Sequence, residues 1–313
     1  MNFADKLIAT VNNKESHACV GLDPRWGRIP EEIRSKAVAN KGETLAAVGE
    51  AIIQFNQGLI DAVAPYVPAV KPQIAFYEQY GYLGIKAFEE TITYAQERDL
   101  LVISDAKRND IGSTAKAYAD GHLGETQSLV GVSSKLSADA LTVTPYLGWD
   151  GIKPFVRNCQ DYGKGIFILV KTSNSSAYEL QDIKSEDDQL VFEKLASLVD
   201  EWGSEVVGEK GYSSIGAVVG ATYPEEAEKL RRLMPHSYFL VPGYGAQGGG
   251  AEDVVPCFNE DGYGAIVNSS RGIIFAYQQE QYSSDYQEAA KQAVLDMNQD
   301  INTALKKYKK FAF

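Results

Sequence analysis

The chain has 313 residues, 44% of them hydrophobic and 23% charged, which gives ample material for one large core and excludes global disorder. Its formal net charge of −12 excludes a nonspecific nucleic-acid or membrane-surface binder, since both rest on clustered Lys and Arg, but it leaves room for a local basic pocket around a small anion. The three cysteines, Cys19, Cys159 and Cys257, are widely spaced without a Cys-x-x-Cys, and this usage fits a reduced, cytoplasmic setting. No run approaches the roughly 18 apolar residues of a membrane span, and no leader-like segment follows the N-terminus. The three histidines, His17, His122 and His236, are not paired at metal-ligand spacing, so no zinc site is expected.

In chain order, apolar β-branched runs at Ala18 to Leu22, Val67 to Lys71, Leu100 to Asp105, Ala140 to Thr144, Gly165 to Lys171, Ile215 to Gly220, Tyr238 to Pro242 and Ala265 to Asn268 read as strands. Helix-length stretches separate them. Tyr82, Ile85, Phe88, Ile92 and Ala95 recur at spacings of three or four, as do Tyr286, Ala290, Ala293, Met297, Ile301 and Leu305, and each set predicts an amphipathic helix. Strands too apolar to have a wet face, each followed by a helix, predict a parallel sheet. Repeated eight times in a chain of this length, the pattern predicts a TIM (β/α)8 barrel as a single domain over 1–313. An open doubly wound sheet is the alternative, but the turn after the first strand, Gly21-Leu22-Asp23-Pro24-Arg25-Trp26, lacks the Gly-x-Gly-x-x-Gly phosphate turn. Insertions at 25–41, after the first strand, and at 174–189, after the fifth, are expected to decorate the C-terminal face of the barrel.

Barrel chemistry resides at the C-terminal strand ends. Those ends carry Asp23, Lys71, Asp105 with Lys107 and Asp110, Thr144-Pro145, Lys171-Thr172-Ser173, Ala221-Thr222, the loop Pro242 to Gly250, and Asn268-Ser269-Ser270-Arg271-Gly272. Asp105 and Lys107 are two apart and should project together from a strand, while Asp110 and Thr114 fall one turn apart on a following helix. With Lys71 they can form an alternating Lys, Asp, Lys, Asp array, although an isolated Asp-x-Lys also reads as salt bridges at a sheet rim. Glycines 248–250 let backbone N–H groups approach an anion, and Arg271 after the last strand adds a guanidinium fork, so the two loops together read as a phosphate site.

The segment Asp105-Ala106-Lys107-Arg108-Asn109-Asp110-Ile111-Gly112-Ser113-Thr114 resembles the Asp-x-Lys-x-x-Asp-Ile-x-x-Thr signature of the orotidine 5′-monophosphate decarboxylase family. The resemblance extends to Gly21-Leu22-Asp23-Pro24, Val70-Lys71-Pro72-Gln73, Pro242-Gly243 through Gln247-Gly248-Gly249 and Ser270-Arg271-Gly272, and the long loops are similar to those of the longer bacterial branch. It implies a homodimeric barrel that converts orotidine monophosphate to uridine monophosphate in pyrimidine biosynthesis without metal or organic cofactor. It further implies Lys107 as proton donor, Asp105 beside the substrate carboxylate, and Lys71 and Asp110 completing the array. Asp110 and Thr114 would reach into the partner's site, Asp23 and Lys71 would hold ribose hydroxyls, and Ser173 would meet the pyrimidine edge, with Thr172 as the alternative. Gln247, Gly248, Arg271 and Gly272 would form the phosphate end. Two other readings stand beside it: a Mg²⁺-dependent sugar-phosphate lyase of the same barrel group, which typically carries a Glu before the first Asp where this chain has Ile103-Ser104, and a nucleotide-binding barrel without catalysis.

Overall fold

The computed structural model describes every residue except 130, 134, 135, 222, 223, 246 and 247, and the backbone alone at 133. In chain order the strands are β1 (Ala18–Leu22), β2 (Ala69–Pro72), β3 (Leu101–Arg108), a hairpin of β4 (Thr126–Ser128) and β5 (Gly131–Ser133), β6 (Ala140–Val143), β7 (Gly165–Lys171), β8 (Ser213–Val219), β9 (Ser237–Val241) and β10 (Ala265–Ser269). All except the antiparallel β4–β5 hairpin lie parallel in a closed barrel, ordered β1-β2-β3-β6-β7-β8-β9-β10. Closure runs through Ala18↔Val267, Cys19↔Asn268 and Val20↔Ser269, which removes the open-sheet alternative.

Alternate strand residues fill the barrel interior, as pleating requires. Cys19, Ala69, Ile103, Ala140, Phe167, Val218, Tyr238, Leu240 and Ile266 form one inner cluster. A helix that the strand-helix rhythm did not predict, Phe3–Lys14, inserts Phe3, Ala4, Leu7, Ile8 and Val11 into the same cluster and closes the N-terminal end. Asn2 caps it by accepting from the Asp5 N–H at 2.8 Å, and Phe3 meets Phe167 edge-on at 5.9 Å. Burying Leu7 and Ile8 contributes roughly 1.5–3 kcal/mol each.

Helices on the outside bury the opposite strand faces. The helix Gly81–Gln96 buries Phe88, Ile92 and Ala95, whereas Tyr82, expected on that face, is 80% exposed because it falls in the first turn, beyond the reach of the sheet. The helix Tyr286–Lys307 buries Ala290, Ala293, Met297, Ile301 and Leu305 as its spacing predicts, and Asp285 caps it by accepting from the N–H groups of Gln287 and Glu288. The stretch 25–41 contains a 3₁₀ turn, Trp26–Arg28, and a helix, Glu31–Lys41; the stretch 174–189 contains the short helix Tyr178–Gln181. Among the described residues no helix is long and apolar enough to cross a membrane.

Candidate active site

β3 departs from regular pairing where its charges begin. It matches β6 up to Ser104↔Leu141 and resumes at Arg108↔Val143, so four residues on one strand span two on the other. Lys107 absorbs this with a left-handed backbone, φ +46°, which costs a β-carbon-bearing residue about 1–3 kcal/mol and persists only where the surroundings hold it. Asp105 and Lys107 still meet, as the spacing of two predicts: Lys107 Nζ lies 2.5 Å from Asp105 Oδ1.

The second oxygen of the same carboxylate receives Lys71 Nζ at 2.5 Å, from the end of β2. Thr142, on the inward side of β6, donates its hydroxyl to Asp105 Oδ1 at 2.9 Å and accepts the Lys107 backbone N–H at 3.0 Å. Asp105 and Lys71 are each 6% exposed. Burial alone would raise Asp105, but the two lysines outweigh it and hold the carboxyl well below its usual range. Burial alone would lower Lys71, but Asp105 and Asp23 outweigh it and push the ammonium up. Lys107 differs from Lys71 in access, its side chain being 45% exposed toward the mouth of the barrel.

These groups line a cavity of about 830 Å³ whose other walls are largely apolar: Tyr146, Leu169, Leu180, Val191, Leu195 and Leu240. Ser173 lines it as well. Thr172 lines it too, but its hydroxyl donates to Asn174 at 2.6 Å and accepts from Gln181 at 2.7 Å and so is engaged within the insertion. Lys171, part of the strand-end ring, turns away from the cavity. It is 1% exposed, pairs with Asp182 and with Glu226 at 3.6 Å, and so ties the insertion to the helix Pro224–Leu233.

A separate cavity of about 650 Å³ contains Arg271 and Gly272 together with Tyr244, Gly245 and Ser269. Arg28, from the first insertion, lines it too, stacked 3.9 Å over Phe275 and held by Gln278 Oε1 at 2.9 and 2.6 Å. Gly248 has φ +94°, and its N–H is spent on Gly245 O at 2.9 Å, so the loop folds back on itself instead of presenting that N–H to an anion. Gln247 and Thr222 lie outside the described residues. Among the described residues, one buried carboxylate oxygen of Asp23, at the end of β1, has no hydrogen-bond partner, nor does the amide oxygen of Asn268. Gly21 makes room beside them: a β-carbon there would lie 1.8 Å from Ser270 Oγ.

Asp110 and Thr114 stand apart. The helix that follows β3 begins only at Gly112, because Ile111 is extended at φ −126°, so the two residues are not one helical turn apart as the spacing suggested. Asp110 accepts from the Ile111 N–H at 2.8 Å and pairs with no lysine among the described residues, and Thr114 is exposed. Sequence reasoning placed Asn268 among the strand ends but missed Thr142 and Arg28. The inward alternation of β6 was signal enough for Thr142; nothing local marks Arg28.

A closed parallel barrel whose C-terminal mouth holds a carboxylate between two ammonium groups defines an enzyme of the (β/α)8 class. A profile of the orotidine 5′-phosphate decarboxylase / HUMPS family matches residues 17–286. Orotidine 5′-phosphate decarboxylase of Rhodopirellula baltica is 46% identical over 96% of this chain and 99% of its own length. The structure of Leishmania donovani OMP decarboxylase superposes with a TM-score of 0.73 at 30% identity, covering 97% of this chain and 99% of that one. Leishmania donovani UMP synthase gives a TM-score of 0.75 at 31% identity, covering 97% of this chain but only 56% of the longer partner. The chain belongs to the orotidine 5′-phosphate decarboxylase / HUMPS family.

Proposed function

We propose that this protein decarboxylates orotidine 5′-monophosphate to uridine 5′-monophosphate as a cofactor-independent homodimer in the cytoplasm, with all of 1–313 forming one catalytic domain. The observation that carries this reading is the Asp105 carboxylate clamped between Lys71 and Lys107 over a cavity of about 830 Å³. Loss of CO2 from C6 of a pyrimidine leaves a carbanion that no ring system delocalises, so the site must place positive charge at C6 and deliver a proton there. An ammonium does both. Lys107, the more accessible lysine, is the donor. Asp105 faces the substrate carboxylate, whose repulsion is relieved as CO2 leaves. The carboxylate also keeps both lysines charged in a partly dry site, where a lone buried lysine would shed its proton.

Lys71 and Asp23 hold the ribose hydroxyls, and the unpartnered Asp23 oxygen supports this by its need for a donor. Ser173 meets the pyrimidine edge, which the engagement of Thr172 with Gln181 and Asn174 favours. Arg271, Gly272, Gln247 and Gly248 form the phosphate end; the Gly248 N–H must then leave Gly245 when the loop closes on the substrate. The exposure of Thr114, and the lack of a lysine at Asp110 among the described residues, support their use in the partner's site. Three buried free thiols suit a reducing compartment.

Addition of orotidine monophosphate to EDTA-treated protein tests the reading: the absorbance of the orotate ring should fall as uridine monophosphate forms. Tight nucleotide binding without that change would identify a catalytically inactive barrel, and turnover restored only by Mg²⁺ would favour the sugar-phosphate lyase chemistry.

A further inference from the structure

The bulge that presents Lys107 has an anchor on each side of it, and both anchors meet one imidazole. Ser104, the last β3 residue in register before the bulge, points out of the barrel into a fully buried position, where its Oγ lies 3.0 Å from His122 Nδ1. Arg108, where register resumes, donates from Nε to His122 Nε2 at 3.4 Å. Because Nε2 accepts from a guanidinium, the ring proton sits on Nδ1 and is donated to Ser104. Burial, reinforced by Arg108, holds the imidazole down at about 4, so it stays neutral in this role near pH 7. Arg108 is steadied in turn by Glu78 at 3.7 Å and by the Tyr118 ring at 5.3 Å. Thr142 fixes the bulge from the barrel interior, and His122 bridges its two ends from the outside.

We infer that His122 is a positioning residue for the reaction: by bridging Ser104 and Arg108 it holds the left-handed backbone of Lys107, and so the aim of its ammonium, without touching substrate. The inference rests on Lys107 being the proton donor. The helix Gly112–Leu123, which carries His122, starts two residues after Asp110, so the same bridge also fixes the distance between the donor and the residue directed at the partner.

The test compares His122→Phe, which keeps an aromatic ring and removes both hydrogen bonds, with His122→Gln, which can restore an acceptor for Arg108, and with Arg108→Met, which leaves the buried core intact. A donor misplaced by a fraction of an ångström to an ångström should lower kcat about 100-fold in His122→Phe, while the dissociation constant of uridine monophosphate changes by less than about threefold. His122→Gln should recover much of kcat. Arg108→Met should lower kcat by about tenfold or more, and the His122→Phe/Arg108→Met double variant should be no slower than the worse single one, since both break one bridge. A kcat within about threefold of wild type in a folded Arg108→Met or His122→Phe protein would overturn the inference, as would parallel losses in kcat and nucleotide affinity. If His122→Phe does not fold, Arg108→Met decides. Wild-type turnover in the same assay separates failure of this inference from failure of the decarboxylase reading.

Discussion

Asp105→Asn is the most informative single substitution, because one carboxylate holds two lysines at the same 2.5 Å distance but at very different exposure. Lys71 is 7% exposed at its side chain and Lys107 45%. Losing the charge of Asp105 leaves a desolvated ammonium at Lys71 with Asp23 as the carboxylate still acting on it, and breaking a buried pair from one side costs about 3–5 kcal/mol. With Asp23 remaining, about 3 kcal/mol is expected, or a fall in melting temperature of roughly 5 °C for a chain of this size. Lys107→Ala removes the exposed partner and should cost no more than about 1 kcal/mol. Both variants should lose turnover. The pH dependence carries the sign. In the wild type, the depressed pKa of Asp105 adds stability that is present above the ordinary carboxylate range and lost as pH falls through the folded value, and the raised pKa of Lys71 adds stability that is present below 10.5 and lost as pH rises through its folded value. Burial is already the largest single influence on Lys71, and Asp105→Asn removes the main charge that opposes it, so the shift should reverse, with a penalty that is full at pH 7 and relieved as pH climbs toward 10.5. Urea denaturation at pH 7 and about pH 9.5 should therefore show the gap between wild type and variant narrowing. A gap that stays constant or widens, or an equal loss in Lys107→Ala, would refute this account of the site.

On the proposed role of Arg271, Arg271→Ala should weaken uridine monophosphate binding by roughly 2–4 kcal/mol and leave uridine binding nearly unchanged; equal losses by calorimetry would move the phosphate elsewhere. Lys107→Ala and Asp110→Ala homodimers should each be almost inactive, yet mixing them after reversible dissociation should recover roughly a quarter of wild-type specific activity, since about half the dimers would be mixed and each would hold one complete site. A verified mixed dimer without activity would return Asp110 to its own subunit or remove it from the chemistry.

Local pattern by itself determined the eight barrel strands, because a strand buried on both faces must be apolar along its length, and the period of two placed Asp105 and Lys107 together. It also located Lys71, since a lysine ending an apolar strand stands out from its neighbours. Only the tertiary structure decided that Lys71 and Thr142, 34 and 37 residues from Asp105, share its two oxygens, because barrel closure and shear set which strand ends meet. The same holds for the bulge in β3. Its extra residues are defined against β6, and its anchor, His122, lies on the next helix, so alternation within β3 predicted the pairing of Asp105 with Lys107 but not the strained backbone that achieves it. The helix Phe3–Lys14 escaped the strand-helix rhythm for a related reason: it precedes the first strand, and its apolar face has meaning only once eight strands leave an open end to fill.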